Sequence, residues 1–257
     1  LLQPQLNQAY LGVLQTGGSQ QASFREYNPL FMRDGAYWQT SGLVASNSTF
    51  SDDAVVSYQQ GRVGFSLGQY HYQTQGFRQN ADLNQDLYDG LLQLEVSPDT
   101  NVQAEFRHQE RQNGDVFLHD RPELDKRVSD DSDSWRLGMR HSFSPQSAMI
   151  ANFTHIDHHN SLMNAHVQAA VSDDAYSTEA QHVYRFERAD VVNGISYYQD
   201  DQQCRETNIF ASPFLCKQAQ TDIQNAKFYH YSTFNLQSTA FWTLGISGDY
   251  MKNAYID

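Results

Sequence analysis

The chain has 257 residues with 30 Asp+Glu against 17 Lys+Arg, a formal net charge of −13, and 39% hydrophobic residues that include 15 Tyr, 15 Phe and 3 Trp. No apolar run approaches the roughly 20 residues that a membrane-crossing helix needs, and an acidic chain without a basic run lacks the footprint of a nucleic-acid binder. Its aromatic content is far above that of a disordered polymer.

In chain order, residues 1–35 read as a lead-in connector. Leu6, Tyr10, Val13 and Leu14 have helical spacing, although the same stretch also reads as a strand ending at Gly17-Gly18. Phe24 to Phe31, interrupted by Pro29, is a link. From 36 to 257 the hydrophobic period is two, which marks strands. Tyr37–Ser46 is the first. Ala54–Tyr58 and Val63–Tyr72 form a hairpin around Gly61. Tyr88, Gly90, Leu92, Leu94 and Val96 alternate with Asp89, Gln93 and Glu95, and Ser97-Pro98-Asp99-Thr100 supplies a turn. The return strand sets Val102, Ala104, Phe106 and His108 against Gln103, Glu105, Arg107, Gln109 and Arg111. Forty-seven residues on, the pattern recurs: Trp135, Leu137, Met139, His141 and Phe143, then Ser144-Pro145-Gln146-Ser147, then Met149, Ala151, Phe153 and His155. Thr178–Phe186 with Val191–Tyr198, and Ala226–Phe234 with Ala240–Tyr250, complete about eleven strands.

The links alternate in length. Those near 59–62, 97–100, 144–147, 187–190 and 235–239 are tight, whereas 73–84, 112–133, 157–174 and 199–222 are long, polar and acidic. An outer-membrane antiparallel β-barrel has this asymmetry, together with an apolar lipid face, a polar lumen and aromatic girdles. The expected fold is therefore all-β, a segment of a larger transmembrane barrel. Glu105, Arg107, Arg111, Arg136, Arg140, Glu179 and Arg185 are expected to line the lumen. Tyr88, Trp135, Phe143, Tyr184 and Phe186 are expected in the girdles.

Three phrases, Phe24-Arg25-Glu26-Tyr27-Asn28-Pro29-Leu30-Phe31, Phe65-Ser66-Leu67-Gly68-Gln69-Tyr70-His71-Tyr72 running to Gly76-Phe77-Arg78, and Arg140-His141-Ser142-Phe143-Ser144-Pro145, resemble the barrel region of a group of Gram-negative outer-membrane proteins. In that group, tetratricopeptide repeats precede a barrel related to TonB-dependent receptors. The resemblance implies an outer-membrane location among lipid and lipopolysaccharide, a periplasmic repeat domain or other subunit as partner, and passage of a solute or polymer. Receptor-sized barrels have about 22 strands, so eleven are expected to be half a wall.

No nucleophile elbow, Walker loop, zinc-protease or dinucleotide fingerprint is present, so neither an enzyme nor a cofactor is expected. His155-Ile156-Asp157-His158-His159 is rich in metal ligands, but on a strand His158 points away from the others and nothing completes a shell; it reads as a polar strand end, and no metal is assigned. The acidic pairs Asp52-Asp53, Asp130-Asp131, Asp173-Asp174 and Asp200-Asp201 read as outer-loop tips, solvated or holding divalent cations that bridge lipopolysaccharide. Arg107, Arg111, Arg136 and Arg140 form either an electropositive strip or pairs with lumen carboxylates. Cys204 and Cys216 are expected to close one disulfide in an oxidising compartment, worth about 3 kcal/mol for a loop of that size. A thiol assay under denaturing, non-reducing conditions is expected to find no reactive thiol, and two would remove the staple. The function expected is an outer-membrane transport pore, with an uptake receptor barrel, a membrane-mounted adhesion protein and a soluble carbohydrate-binding sandwich as alternatives.

Overall fold

The computed structural model describes residues 34–116, 123–208, 219–237 and 240–256. Almost all of the lead-in, and the stretch 209–218 that holds Cys216, lie outside the described residues. The strands are β1 (Gly35–Ala45), β2 (Thr49–Gln60), β3 (Val63–Thr74), β4 (Leu83–Ser97), β5 (Thr100–Asn113), β6 (Arg127–Ser144), β7 (Ser147–Met163), β8 (Val167–Arg185), β9 (Ala189–Asn208), β10 (Ala219–Gln237) and β11 (Ala240–Ile256). They form one antiparallel sheet in sequential order, every strand paired with its chain neighbours.

The two faces are inverted relative to a protein folded in water. Leu137 and Ile195 are 56% and 65% exposed, while Gln103, Glu179 and Gln181 on the opposite face are 6%, 3% and 4% exposed. The polar face is satisfied internally: the Ser57 and Ser66 hydroxyls lie 3.1 Å apart and the Gln93 amide donates to Gln103 at 3.2 Å. Polar side chains crowd one another while large apolar ones stand open, which places the polar face on the inside of the curl. In water such an arrangement forfeits about 25 cal/mol for each Å² of apolar surface left exposed. Against acyl chains it is the stable arrangement for β2 to β10, whose backbone groups are paired on both sides.

The two matching hairpins are built alike. Ser97 Oγ accepts from the Asp99 amide, and Ser144 Oγ accepts from the Gln146 and Ser147 amides. Each turn is flanked by a register shift, between Glu95 and Ser97 in one and between Ser142 and Ser144 in the other. The repeated Ser-Pro signature thus fixes two equivalent bulged turns at the same end of the sheet.

The link asymmetry is weaker than the sequence suggests. At the end opposite the Ser-Pro turns, β1 and β2 are joined through 46–48, with Asn47 at φ 58° and Ser48 at φ 53°, and β7 and β8 through only 164–166. Asn tolerates the left-handed region that a tight hairpin turn requires. Most of the expected loops at 157–174 and 199–222, and 127–133 of the one expected at 112–133, are strand instead. The ladders run on past the apolar band, and the period-two signal fades there because both faces are polar. Where long links remain, they fold on each other: Asp115 is fully buried, bonded to Arg78 at 2.9 Å and to the Glu123 amide at 3.1 Å, with Lys126 at 3.7 Å.

Candidate functional site

The polar face carries charges in register. Asp89 of β4 lies opposite Arg107 of β5, and Glu105 lies opposite Arg136 of β6. Arg136 Nη1 is 3.5 Å from Glu105 Oε2, both side chains mostly buried. The arginine row is thus interleaved with carboxylates and is not a bare electropositive strip. Asp89 needs room, and β3 supplies it: a Cβ on Gly68 would stand 2.3 Å from Asp89 Oδ1.

Glu179 anchors a second group. Tyr229 of β10 crosses β9 and donates its hydroxyl to Glu179 of β8, and the Asn152 amide donates to the same carboxylate at 3.4 Å. The crossing depends on Gly194, directly opposite both Tyr229 and Gln181, where a Cβ would meet the tyrosine ring at 2.1 Å. Toward the Ser-Pro turns, Arg140 and Arg185 line a cavity of about 330 Å³ with Asp99, and Arg185, the last residue of β8, is exposed.

The opposite end of the polar face holds a mixed cluster beyond the apolar band. Arg111 faces Asp130 across β5 and β6, and His158 of β7 stands between Asp130 and Asp173. His158 Nε2 is 3.0 Å from Asp130 Oδ2, and Nδ1 is 3.0 Å from Asp173 Oδ2. Both ring nitrogens face carboxylates, so both must carry protons to donate. Asn160 also donates to Asp130 at 3.0 Å, and Gln202 to Asp173 at 2.8 Å. Hydrogen bonding to Asp130, then to Asp173, raises His158 to about 9, and the His158 bond is the main cause that lowers Asp130.

The pH consequence follows from those directions. The imidazolium bridge contributes fully below the unfolded histidine value of about 6.5 and is lost as pH rises through about 9. Asp130, lowered in the folded state, contributes above about 3.8 and loses that contribution as pH falls through its folded value. Unfolding midpoints are expected to fall between pH 7 and 10 in the native protein, and a His158→Gln variant is expected to lose that slope. A variant with an unchanged slope would remove the bridge from the account.

The apolar face carries the aromatic residues. Tyr88, Trp135, Phe143 and Phe186 are all well exposed there, and Tyr184 lies beside Phe186 with ring centroids 4.4 Å apart. Phe106 packs on Trp135 at 4.7 Å. Tyr88 and Trp135 lie toward the far end of the apolar band, Phe143, Tyr184 and Phe186 beside the short turns. The acidic pairs expected as loop tips sit within β2, β6, β8 and β9, so each sends one carboxylate to each face. His155 and His159 point to the apolar side, onto Asp174 (3.0 Å) and Ser172 (2.7 Å). Sequence reasoning missed His108, Glu110 and Asp131, whose ligand atoms lie within 4.8 Å of one another on the apolar side. His108 and Glu110 alternate visibly in one strand, but Asp131 joins them only through the β5–β6 register. Cys204 ends its strand's pairing with β10 opposite Ala219.

Sequential antiparallel strands, an apolar outer face and a charged inner one define the wall of a barrel like those of TonB-dependent receptors. The solved structures it resembles include a copper transporter, OprC (TM-score 0.74, 11% identity, 87% of this chain and 38% of that one). They also include BauA, the ferric preacinetobactin receptor of Acinetobacter baumannii (0.70, 14%, 87% and 44%), and the ferripyoverdine receptor of the outer membrane of Pseudomonas aeruginosa (0.66, 12%, 87% and 38%). The chain thus spans about two fifths of the length of these structures. No protein-family model and no curated protein matches it.

Proposed function

We propose that the chain forms part of the wall of a Gram-negative outer-membrane transport barrel, with Glu105, Arg107, Arg111, Arg136, Arg140, Glu179 and Arg185 facing the solute path. The carrying observation is the inverted sheet: charge is spent on the face turned inward, where only a water-filled or ligand-filled lumen stabilises it. Tyr88 and Trp135 at one border of the apolar band, and Phe143, Tyr184 and Phe186 at the other, are the girdles in this reading. The named cargo of the similar structures, ferric siderophores and copper, supports uptake of a metal or metal chelate over passive passage. A periplasmic helical-repeat partner, implied by the sequence resemblance, would instead favour a pore for passage or export of a solute or polymer.

The test is fractionation of the native full-length protein followed by conductance in a planar bilayer. Recovery in the outer membrane is expected. Discrete steps would identify an open pore, and none would favour a plugged receptor or a mount. Quantitative extraction without detergent would contradict the proposal.

A further inference from the structure

The cluster around His158 leaves one inner carboxylate over. The charges of Asp130 and Asp173 are balanced by the His158 imidazolium between them and by Arg111, which faces Asp130. Both oxygens of Asp173 have donors, Gln202 at 2.8 Å and His158 at 3.0 Å. Asp200 of β9 lies on the same face, between Ala175 of β8 and Ile223 of β10 and diagonal to Asp173. It stands one residue pair beyond the row of Trp135, His155 and Tyr176, and is 5% exposed. Its Oδ2 accepts from the Tyr198 hydroxyl at 3.0 Å, whereas Oδ1 is buried and has no donor.

The charges that bear on Asp200 are of its own sign: Asp173 and Asp174 of β8 and Asp201 of its own strand. On β10, Asp222 stands on the other face. The inner Lys227 is two pairs nearer the Ser-Pro turns and leans away, its Nζ 5.9 Å from the centroid of the Tyr229 ring. A metal ion needs several converging ligands, and among the described residues that convergence occurs at His108, Glu110 and Asp131 on the opposite face. A larger cation has no path to an enclosed oxygen. A proton does, and a neutral buried carboxyl that lacks one hydrogen bond is far cheaper than an unpaired buried charge. Burial, offset in part by the Tyr198 bond, and then Asp173, Asp201 and Asp174 raise Asp200 to about 6.

We infer that Asp200 is a proton-operated latch on the rim opposite the Ser-Pro turns. Protonated, it lets β9 close against β8 and β10. Ionised, it sets a buried charge beside Asp173 that favours opening of those strands beyond the apolar band. The inference rests on the outer-membrane placement proposed above only for where the rim lies, in the external medium, and not on transport.

The closed rim holds the proton up to about 6, and the open one releases it near 3.8. The contribution is therefore full below 3.8 and lost as pH rises through about 6, a window below the one in which His158 acts. Hydrogen exchange of the full-length protein in lipid vesicles at pH 4.5 and pH 6.5, corrected for the intrinsic rate, reads the β8–β9 amides beyond Tyr176. Their protection is expected to be about tenfold lower at the higher pH. Asp200→Asn, neutral at both, is expected to keep the acid-state protection at pH 6.5 and to unfold there at a higher temperature than the native protein. Should that variant fail to assemble, Asp174→Asn with Asp201→Asn removes two of the charges and is expected to move the transition to lower pH. Native protection independent of pH over this range, or variants that keep the native profile, would overturn the latch and leave the barrel intact. The same profile in protein extracted without detergent would overturn the outer-membrane placement and keep the proton site.

Discussion

Replacing Leu137 by Arg is expected to destabilise the folded barrel by about 2–4 kcal/mol, the cost of a charge on the lipid face near the bilayer midplane. Leu137 lies midway along β6 between Trp135 and Met139, and its side chain is 56% exposed. In a water-soluble protein, a charge at so open a site changes stability by no more than about 0.5 kcal/mol. The same substitution therefore separates the two environments by several-fold. Leu137→Met is the control: it keeps the site apolar at nearly the same volume and is expected to cost less than about 1.5 kcal/mol. Urea unfolding in lipid vesicles reads both, and a neutral Leu137→Arg would mean that this face meets water.

The second large effect is expected at Gly194. Valine there puts a Cβ 2.1 Å from the Cζ of the Tyr229 ring, with two methyl groups beyond it. The ring must leave, and Glu179, 3% exposed, then loses its tyrosine donor. Losing a hydrogen bond to a charged group is worth about 1.5–3 kcal/mol, and overpacking adds about 1–3 kcal/mol, so about 2.5–6 kcal/mol is expected together. Tyr229→Phe isolates the hydroxyl and is expected to lose only the hydrogen-bond part. Equal effects from the two variants would show that the ring's position over Gly194 is immaterial.

What the sequence made legible depended on whether one face of a strand is apolar. Trp135, Leu137, Met139 and Phe143 announce β6 because the apolar band imposes alternation, and the Ser-Pro turns mark where that strand and its counterpart reverse. Beyond the band the same strand continues as Arg127 to Asp133 with polar residues on both faces, so the reading ends about where the apolar band does. The Asn47-Ser48 turn was hidden for another reason: it uses Asn where a glycine would have signalled it. The charged inner wall could be assigned by parity, but its pairing could not. Glu105 meets Arg136 only through the β5–β6 register, and Tyr229 reaches Glu179 across 50 residues of chain. The acidic pairs were visible and misplaced, because a doublet such as Asp173-Asp174 looks like a loop tip unless the strand is known to run through it, and only then does each carboxylate fall to its own face.

The central claim is that the apolar face of this sheet meets acyl chains. All three tryptophans, Trp38, Trp135 and Trp242, are exposed on that face, at 76%, 56% and 65%. With Trp135 kept as the sole tryptophan and the full-length protein reconstituted in vesicles, its fluorescence should be quenched strongly by lipids brominated along the acyl chain and little by aqueous iodide. Strong iodide quenching with none from the brominated lipid would place Trp135 in water and contradict the account.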